Sequence, residues 1–305
     1  MDRSEFLGWT WGVEHEWGDW HIASPLPLGC SRNLKDYTVM NSNGIANDPK
    51  GQFYHLGGEI NTPPTPSPEG QVEIMRRLKL ALPGACVNYR SNLHVHVRVP
   101  GLSRNLKLLK RVQYYIHETM PQLLPIIDPL VPPDLLKLMD FPGNIGEYQA
   151  AYKRHKRNKV SHHTLLRIDR VHEQGRASTI AEFFDRESPW DEKRQRALHH
   201  LQPRLCVSLR QMLDTDTVEF RHFFGTLDPD ELRAACEWAG YYLLCAMDRE
   251  PVESLISRAR RMPFPKAPPF LPRLDKIFLA TCEGVEREAR RQAIRQAMKG
   301  SFFDV

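Results

Sequence analysis

Apolar and polar residues alternate with period two in five stretches of the chain, the pattern of strands that bury one face. In the first, Trp9, Trp11, Val13, His15 and Trp17 fall on one side, and Thr10, Gly12, Glu14 and Glu16 on the other. In the second, residues 53–60, Tyr54, Leu56 and Ile60 share a side opposite His55, Gly57 and Glu59. The third is the cleanest, with Leu93, Val95, Val97 and Val99 alternating with Asn92, His94, His96 and Arg98. The fourth sets Leu205, Val207 and Leu209 against Arg204, Cys206, Ser208 and Arg210, and the fifth sets Val218 and Phe220 against Glu219 and Arg221.

Elsewhere the spacing is helical. Ser67 before Pro68 and Glu69 predicts an N-cap with proline in the first turn, leading into a helix to about Leu82. Residues 104–119 and 144–159 read as further helices, with turn-forming prolines at 121, 125, 129, 132 and 133 between them. Asp228 followed by Pro229 predicts the cap of a helix reaching about Asp248, and Pro272 opens a long, charged helix ending near Gly300. The fold class is therefore α+β. The strands form two blocks, roughly 8–100 and 203–225, around a helical insert at about 102–200, which favours an antiparallel or mixed sheet over a doubly wound parallel one. The expected division is a catalytic domain over 1–250 and a helical C-terminal extension over 251–305, packed on the same domain.

Composition narrows the class. With 305 residues, 41% hydrophobic and 26% charged, the chain is long enough for a self-sufficient core and ordinary for a globular protein. The best apolar run, around residues 238–247, falls far short of the roughly 20 residues a membrane span needs. The first residues lack the apolar stretch of a secretory signal, so a cytoplasmic protein without a membrane partner is expected. Six scattered cysteines with no CxxC spacing point to free, mostly buried thiols. The net charge of +5 is modest but uneven, with residues 153–159 reading Lys-Arg-His-Lys-Arg-Asn-Lys. Such a run is first a solvated helix face; it can also meet an anionic macromolecule such as DNA.

The polar strand sides carry the candidate chemistry. Glu14, Glu16, Glu59, His94, His96, Glu219 and Arg221 fall at inward positions, where charged groups lose solvation unless something pairs them. An oxygen-rich set with imidazole suits a hard divalent cation, magnesium or manganese, whereas zinc prefers more nitrogen or sulfur. The histidine pairs at 162–163 and 199–200 read as surface pairs, and Trp9, Trp11 and Trp17 as core packing.

Taken in order, Gly12-Val13-Glu14-His15-Glu16, Gly57-Gly58-Glu59-Ile60, Asn92-Leu93-His94-Val95-His96-Val97, and Thr217-Val218-Glu219-Phe220-Arg221 followed by Phe224-Gly225-Thr226-Leu227-Asp228 resemble the amidoligase family. That family belongs to the glutamine synthetase and glutamate–cysteine ligase superfamily. The resemblance runs from Gly12 to Asp230 and excludes the C-terminal helices. It implies a glutamine synthetase-like domain: a curved, mostly antiparallel sheet with helices on its convex side, holding two or three Mg2+ (or Mn2+) ions against the phosphates of ATP. By the resemblance, Glu16 and Glu59 hold the metal on the acyl-acceptor side, and Glu14, His94 and Glu219 the metal bridging the ATP phosphates. Arg221 grips the transferred phosphoryl group, His96 lies near the nucleotide, and Arg204 meets substrate or phosphate. The implied reaction joins a carboxylate (an amino acid or peptide) to an amine through an acyl phosphate, with ATP as co-substrate. A metal-dependent hydrolase and a catalytically inactive nucleotide-binding scaffold are the alternative readings. The basic stretch at 153–170 has no role in the family pattern.

Overall fold

A computed structural model describes residues 6–18, 24–33, 57–87, 91–128, 206–212 and 215–266. Its centre is a six-stranded antiparallel sheet: β1 (Thr10–Gly18), β2 (Ser31–Asn33), β3 (Gly57–Asn61), β4 (Asn92–Arg98), β5 (Val207–Ser208) and β6 (Val218–Phe224). Their order across the sheet is β2-β3-β1-β4-β6-β5. The two strands with the strongest alternation, β1 and β4, thus occupy the middle. Among the described residues the α-helices are α1 (Pro68–Ala81), α2 (Leu106–Ile127), α3 (Pro229–Asp248) and α4 (Val252–Ala259). The α+β class and the antiparallel sheet agree with the sequence reading.

The apolar side of the sheet and the helices form one core. Trp11, Val13, Trp17, Ile60, Leu93, Val95, Val97 and Phe220 of the sheet join Val72, Met75, Val112, Ile116, Trp238 and Tyr242 of the helices in one buried cluster. In α1 the buried residues Val72, Met75, Leu78 and Ala81 recur every three residues, so the helix turns one face to the sheet. Ser67 caps it, its hydroxyl accepting from the Gly70 amide. Gln71, fully buried, ties the loop after β3 to β1: its amide donates to Trp11 O and Pro63 O, and its carbonyl accepts from Thr62 Oγ1. The Asp228 cap also forms, its Oδ1 accepting from the amides of Asp230 and Glu231.

Several elements differ from expectation. The helix expected over 104–119 begins at Leu106, capped by Asn105, and continues to Ile127 through Pro121 and Pro125. Each proline removes a backbone donor, and an interior proline costs about 3 kcal/mol. Here Met120, Leu123, Leu124 and Ile127 are all buried in the core, and that packing offsets the lost bonds. The fourth strand is only Val207–Ser208, and its polar side is not solvated: Cys206 and Ser208 are both fully buried. The strand β2, only three residues long, carries no period and was not foreseen; the helix α4 has a helical period, with Val252, Leu255, Ile256 and Ala259 in step, but was not foreseen either. Among the described residues the cysteines form no disulfide: Cys206, Cys236 and Cys245 are buried, and Cys30 and Cys86 half-buried. Among the described residues no helix is long and apolar enough to cross a membrane. The helices expected at 144–159 and from Pro272 lie outside the described residues, as do residues 153–170 and Arg204. Of the C-terminal extension, α4 is described; Leu255 and Ala259 are buried in the same core.

Candidate metal centre

Register, rather than proximity in sequence, assembles the acidic side of the sheet. Directly opposed residues of antiparallel strands project to the same face. Glu16 of β1 opposes Glu59 of β3, and Glu14 opposes His94 of β4. One step along, Gly12 opposes His96, which in turn opposes Glu219 of β6. The polar residues of four strands therefore form one diagonal band. Gly12 lies within it and has no side chain; a methyl group there would make only ordinary contacts, the nearest 3.8 Å away at His96 Cβ. The floor beside His96 stays open.

Glu14 bridges the two histidines. Its Oε2 lies 2.8 Å from His94 Nδ1 and its Oε1 3.0 Å from His96 Nε2. Burial alone would raise the Glu14 carboxyl, but its hydrogen bonds to both imidazoles and their charge outweigh this and hold it well below the usual carboxylate range. His96 is raised: burial works against its charged form, yet the Glu14 hydrogen bond and the charges of Glu14 and Glu219 prevail over Arg221. Thr217 Oγ1, 3.3 Å from His96 Nδ1, fixes that ring so that Nε2 points to the carboxylates.

Glu219 is fully buried. Its Oε1 is 3.7 Å from His94 Nδ1 and 3.8 Å from His96 Nε2, it pairs with Arg221 Nη1, and its Oε2 accepts from Gln211 Nε2. Glu16 is also buried; Oε2 accepts from both the amide and the side chain of Asn92 at 2.7 Å, which leaves Oε1 turned to His94 Nε2 at 3.7 Å. Glu59 is half-buried and accepts from Asn61 Nδ2 at 2.9 Å. Asn92, Gln211 and Thr217 support the site and were missed as such. Asn92 and Thr217 left a signal, Asn92 being in step with His94 and His96 and Thr217 with Glu219 and Arg221; Gln211 left none.

An irregularity in β6 shapes the last part. Val95 opposes Phe220 and Leu93 opposes Phe223, so β6 carries one extra residue between these pairs. Arg221 and His222 both fall opposite His94. Arg221 stays on the acidic side with Glu219, while His222 is buried between the rings of Phe220 and Phe223. The bulge thus lets one strand give the site a cation and still return its next phenylalanine to the core. Gly225 ends the strand against Ser91; a methyl group there would lie 2.6 Å from Ser91 Cβ, so only glycine permits the approach.

The donor set fits a divalent cation. An ion held about 2.1 Å from each ligand atom spans pairs up to about 4 Å apart. His96 Nε2 is within that reach of both Glu14 Oε1, at 3.0 Å, and Glu219 Oε1, at 3.8 Å, and one donor atom from each of the three residues can be chosen so that all lie within 4.8 Å of one another. A second pair, His94 Nε2 and Glu16 Oε1, stands beside it with Glu59 next across the strand. His94 Nε2 is buried and has no hydrogen-bond partner, while its Nδ1 is held by Glu14, the orientation of a metal-ligating imidazole backed by a carboxylate. The sequence set His96 apart from the ligands; the structure puts it as close to Glu14 and Glu219 as a ligand requires. Compared with protein-family models, curated proteins and solved structures, the chain matches none.

Proposed function

We propose that the chain is an ATP-dependent carboxylate–amine ligase that works with magnesium or manganese ions. The convergence of Glu14, Glu16, His94, His96 and Glu219 on one face of an antiparallel sheet, with Arg221 at its edge, carries the reading. The order of the motifs along the chain, which resembles that of the amidoligases, supplies the reaction class. Glu14, His96 and Glu219 would hold one ion, and His94, Glu16 and Glu59 another; the family resemblance divides these residues differently, placing His94 with Glu14 and Glu219. Bound ions would neutralise the phosphates of ATP and align the transferred phosphoryl group.

The chain's own residues have defined tasks in this reading. A carboxylate is inert to amines at neutral pH; transfer of the γ-phosphoryl of ATP to its oxygen gives an acyl phosphate and ADP. The amine then attacks the acyl carbon, the C–O bond to phosphate breaks, and the amine proton leaves. Both steps build negative charge, which the Arg221 guanidinium offsets from a position fixed by Glu219. The Asn92 clamp on Glu16 and the Thr217 contact to His96 hold the ligand atoms in place, so that little reorganisation is needed as charge develops.

ADP release, screened over amino acids, peptides and amines with Mg2+ and repeated with Glu14→Gln, tests this. Release that requires both a carboxylate and an amine, and is lost in the variant, is expected. Metal-dependent turnover without ATP would replace the ligase by a hydrolase, and Mg-ATP binding without ADP release under any pairing would replace it by an inactive scaffold.

A further inference from the structure

A second polar site lies on the opposite, helix-covered side of β1. A cavity of about 380 Å³ opens between the segment before β1, the start of α1 and the middle of α3. Phe6 and Trp11 give it aromatic walls, Pro66 and Pro68 a rigid apolar edge, and Glu69 and Glu237 are its charged lining residues. Trp11 belongs to the core face and Gly12 and Glu14 to the other, so the sheet separates this cavity from the metal centre.

The walls are preset. Phe6 and Trp11 meet edge to face at 5.6 Å, and Trp11 Nε1 donates to Cys236 O at 3.0 Å. Gly240, one turn along α3 from Glu237, lets both rings seat against the helix; a methyl group there would lie 3.1 Å from each. Glu69 sits in the first turn of α1, where the helix dipole favours an acid. Glu237 lies in the middle of α3 and has no such reason. Among the described residues neither carboxylate has a hydrogen bond or ion pair, and no lysine or arginine lines the cavity. Both charges act on one place: burial first, then Glu237 and Glu69, hold the Cys236 thiol above its ordinary value.

Two uncompensated carboxylates beside two aromatic rings, in a cavity of ligand size, select an organic cation. A metal ion is a poor match, because rings and prolines take the places where oxygen donors would be needed. We propose that this cavity is a binding site for a primary alkylammonium ion, distinct from the metal centre and independent of the ligase reading.

Calorimetric titration of the full chain with n-butylammonium, in buffer containing Mg2+, tests it, with n-butanol as the neutral isostere. Saturable binding of the cation is expected, weakened about tenfold or more by Glu237→Gln and further by Glu69→Gln with Glu237→Gln, and unchanged by Glu14→Gln. Both glutamates are at least partly exposed, so the variants leave the core packing intact. No saturable binding, equal binding of n-butanol, or equal affinity in the double variant would each overturn the proposal. Loss of binding in Glu14→Gln would overturn it too, by moving the amine to the metal face, where it bears on the ligase reading alone.

Discussion

His15 and His94 are buried on opposite faces of the same sheet, and their neighbours differ in kind. His15 lies against Trp17, with ring centroids 4.6 Å apart, and neither of its nitrogens finds a partner. Burial pushes it down to about 3, so it is a neutral, packed ring. His94 instead has carboxylate oxygens of Glu14, Glu16 and Glu219 within 3.7 Å. The comparison shows that burial of a histidine says little about its role. What decides is whether the strands beside it bring charge, and the pleat of β1 sends Trp17 to one face and Glu14 and Glu16 to the other.

If the faces have separate duties, their variants separate too. The largest effect should come from Trp17→Ala on the apolar face: an empty core position, plus the carbonyl of Thr226 left without its indole donor, destabilises the fold by about 3–5 kcal/mol in denaturant unfolding. Glu14→Gln on the acidic face removes a charge that bridges two imidazoles and should cost less, about 1–3 kcal/mol, while weakening Mn2+ binding on the order of 100-fold, or about 2.7 kcal/mol, in a spin-resonance titration. An equal loss of stability in both variants would dissolve the distinction.

Acid titration sharpens it further. The folded value of His15, about 3, is below its unfolded 6.5, so the unfolded chain binds the extra proton. Stability from the neutral ring is complete above pH 6.5 and is lost as pH falls toward 3, by up to about 1.4 kcal/mol per pH unit. His15→Leu should flatten that part of the stability curve. His96 is raised, so in chelator-treated protein its contribution has the opposite sign: present below pH 6.5 and lost as pH rises through the folded value. The smallest effect belongs to neither face. Asp228→Ala removes the cap of α3 and should cost about 1 kcal/mol in thermal unfolding without changing Mn2+ affinity.

Much of the architecture was legible because it is local. The alternation around Trp11, Val13 and Trp17 and around Leu93, Val95 and Val97 named the core side of β1 and β4 residue by residue. The caps at Ser67 and Asp228 fixed two helix starts. The same logic failed where packing outvoted local preference, as in the passage of α2 through Pro121 and Pro125, and where a strand was too short to show a period, as in β2; at β5 the alternation found the strand but not its two-residue length or its buried polar side.

By itself, the sequence determined which residues share a face, since a strand's pleat follows from backbone geometry and needs no partner. Only the tertiary structure decided which faces meet and in what register. Glu14 is brought to His94 across 80 positions of chain, and His96 to Glu219 across still more, by cross-strand pairing that no local pattern encodes. The extra residue in β6, which gives Arg221 to the acidic side and Phe223 to the core, exists only as a mismatch between two strands, so neither strand's sequence could announce it alone.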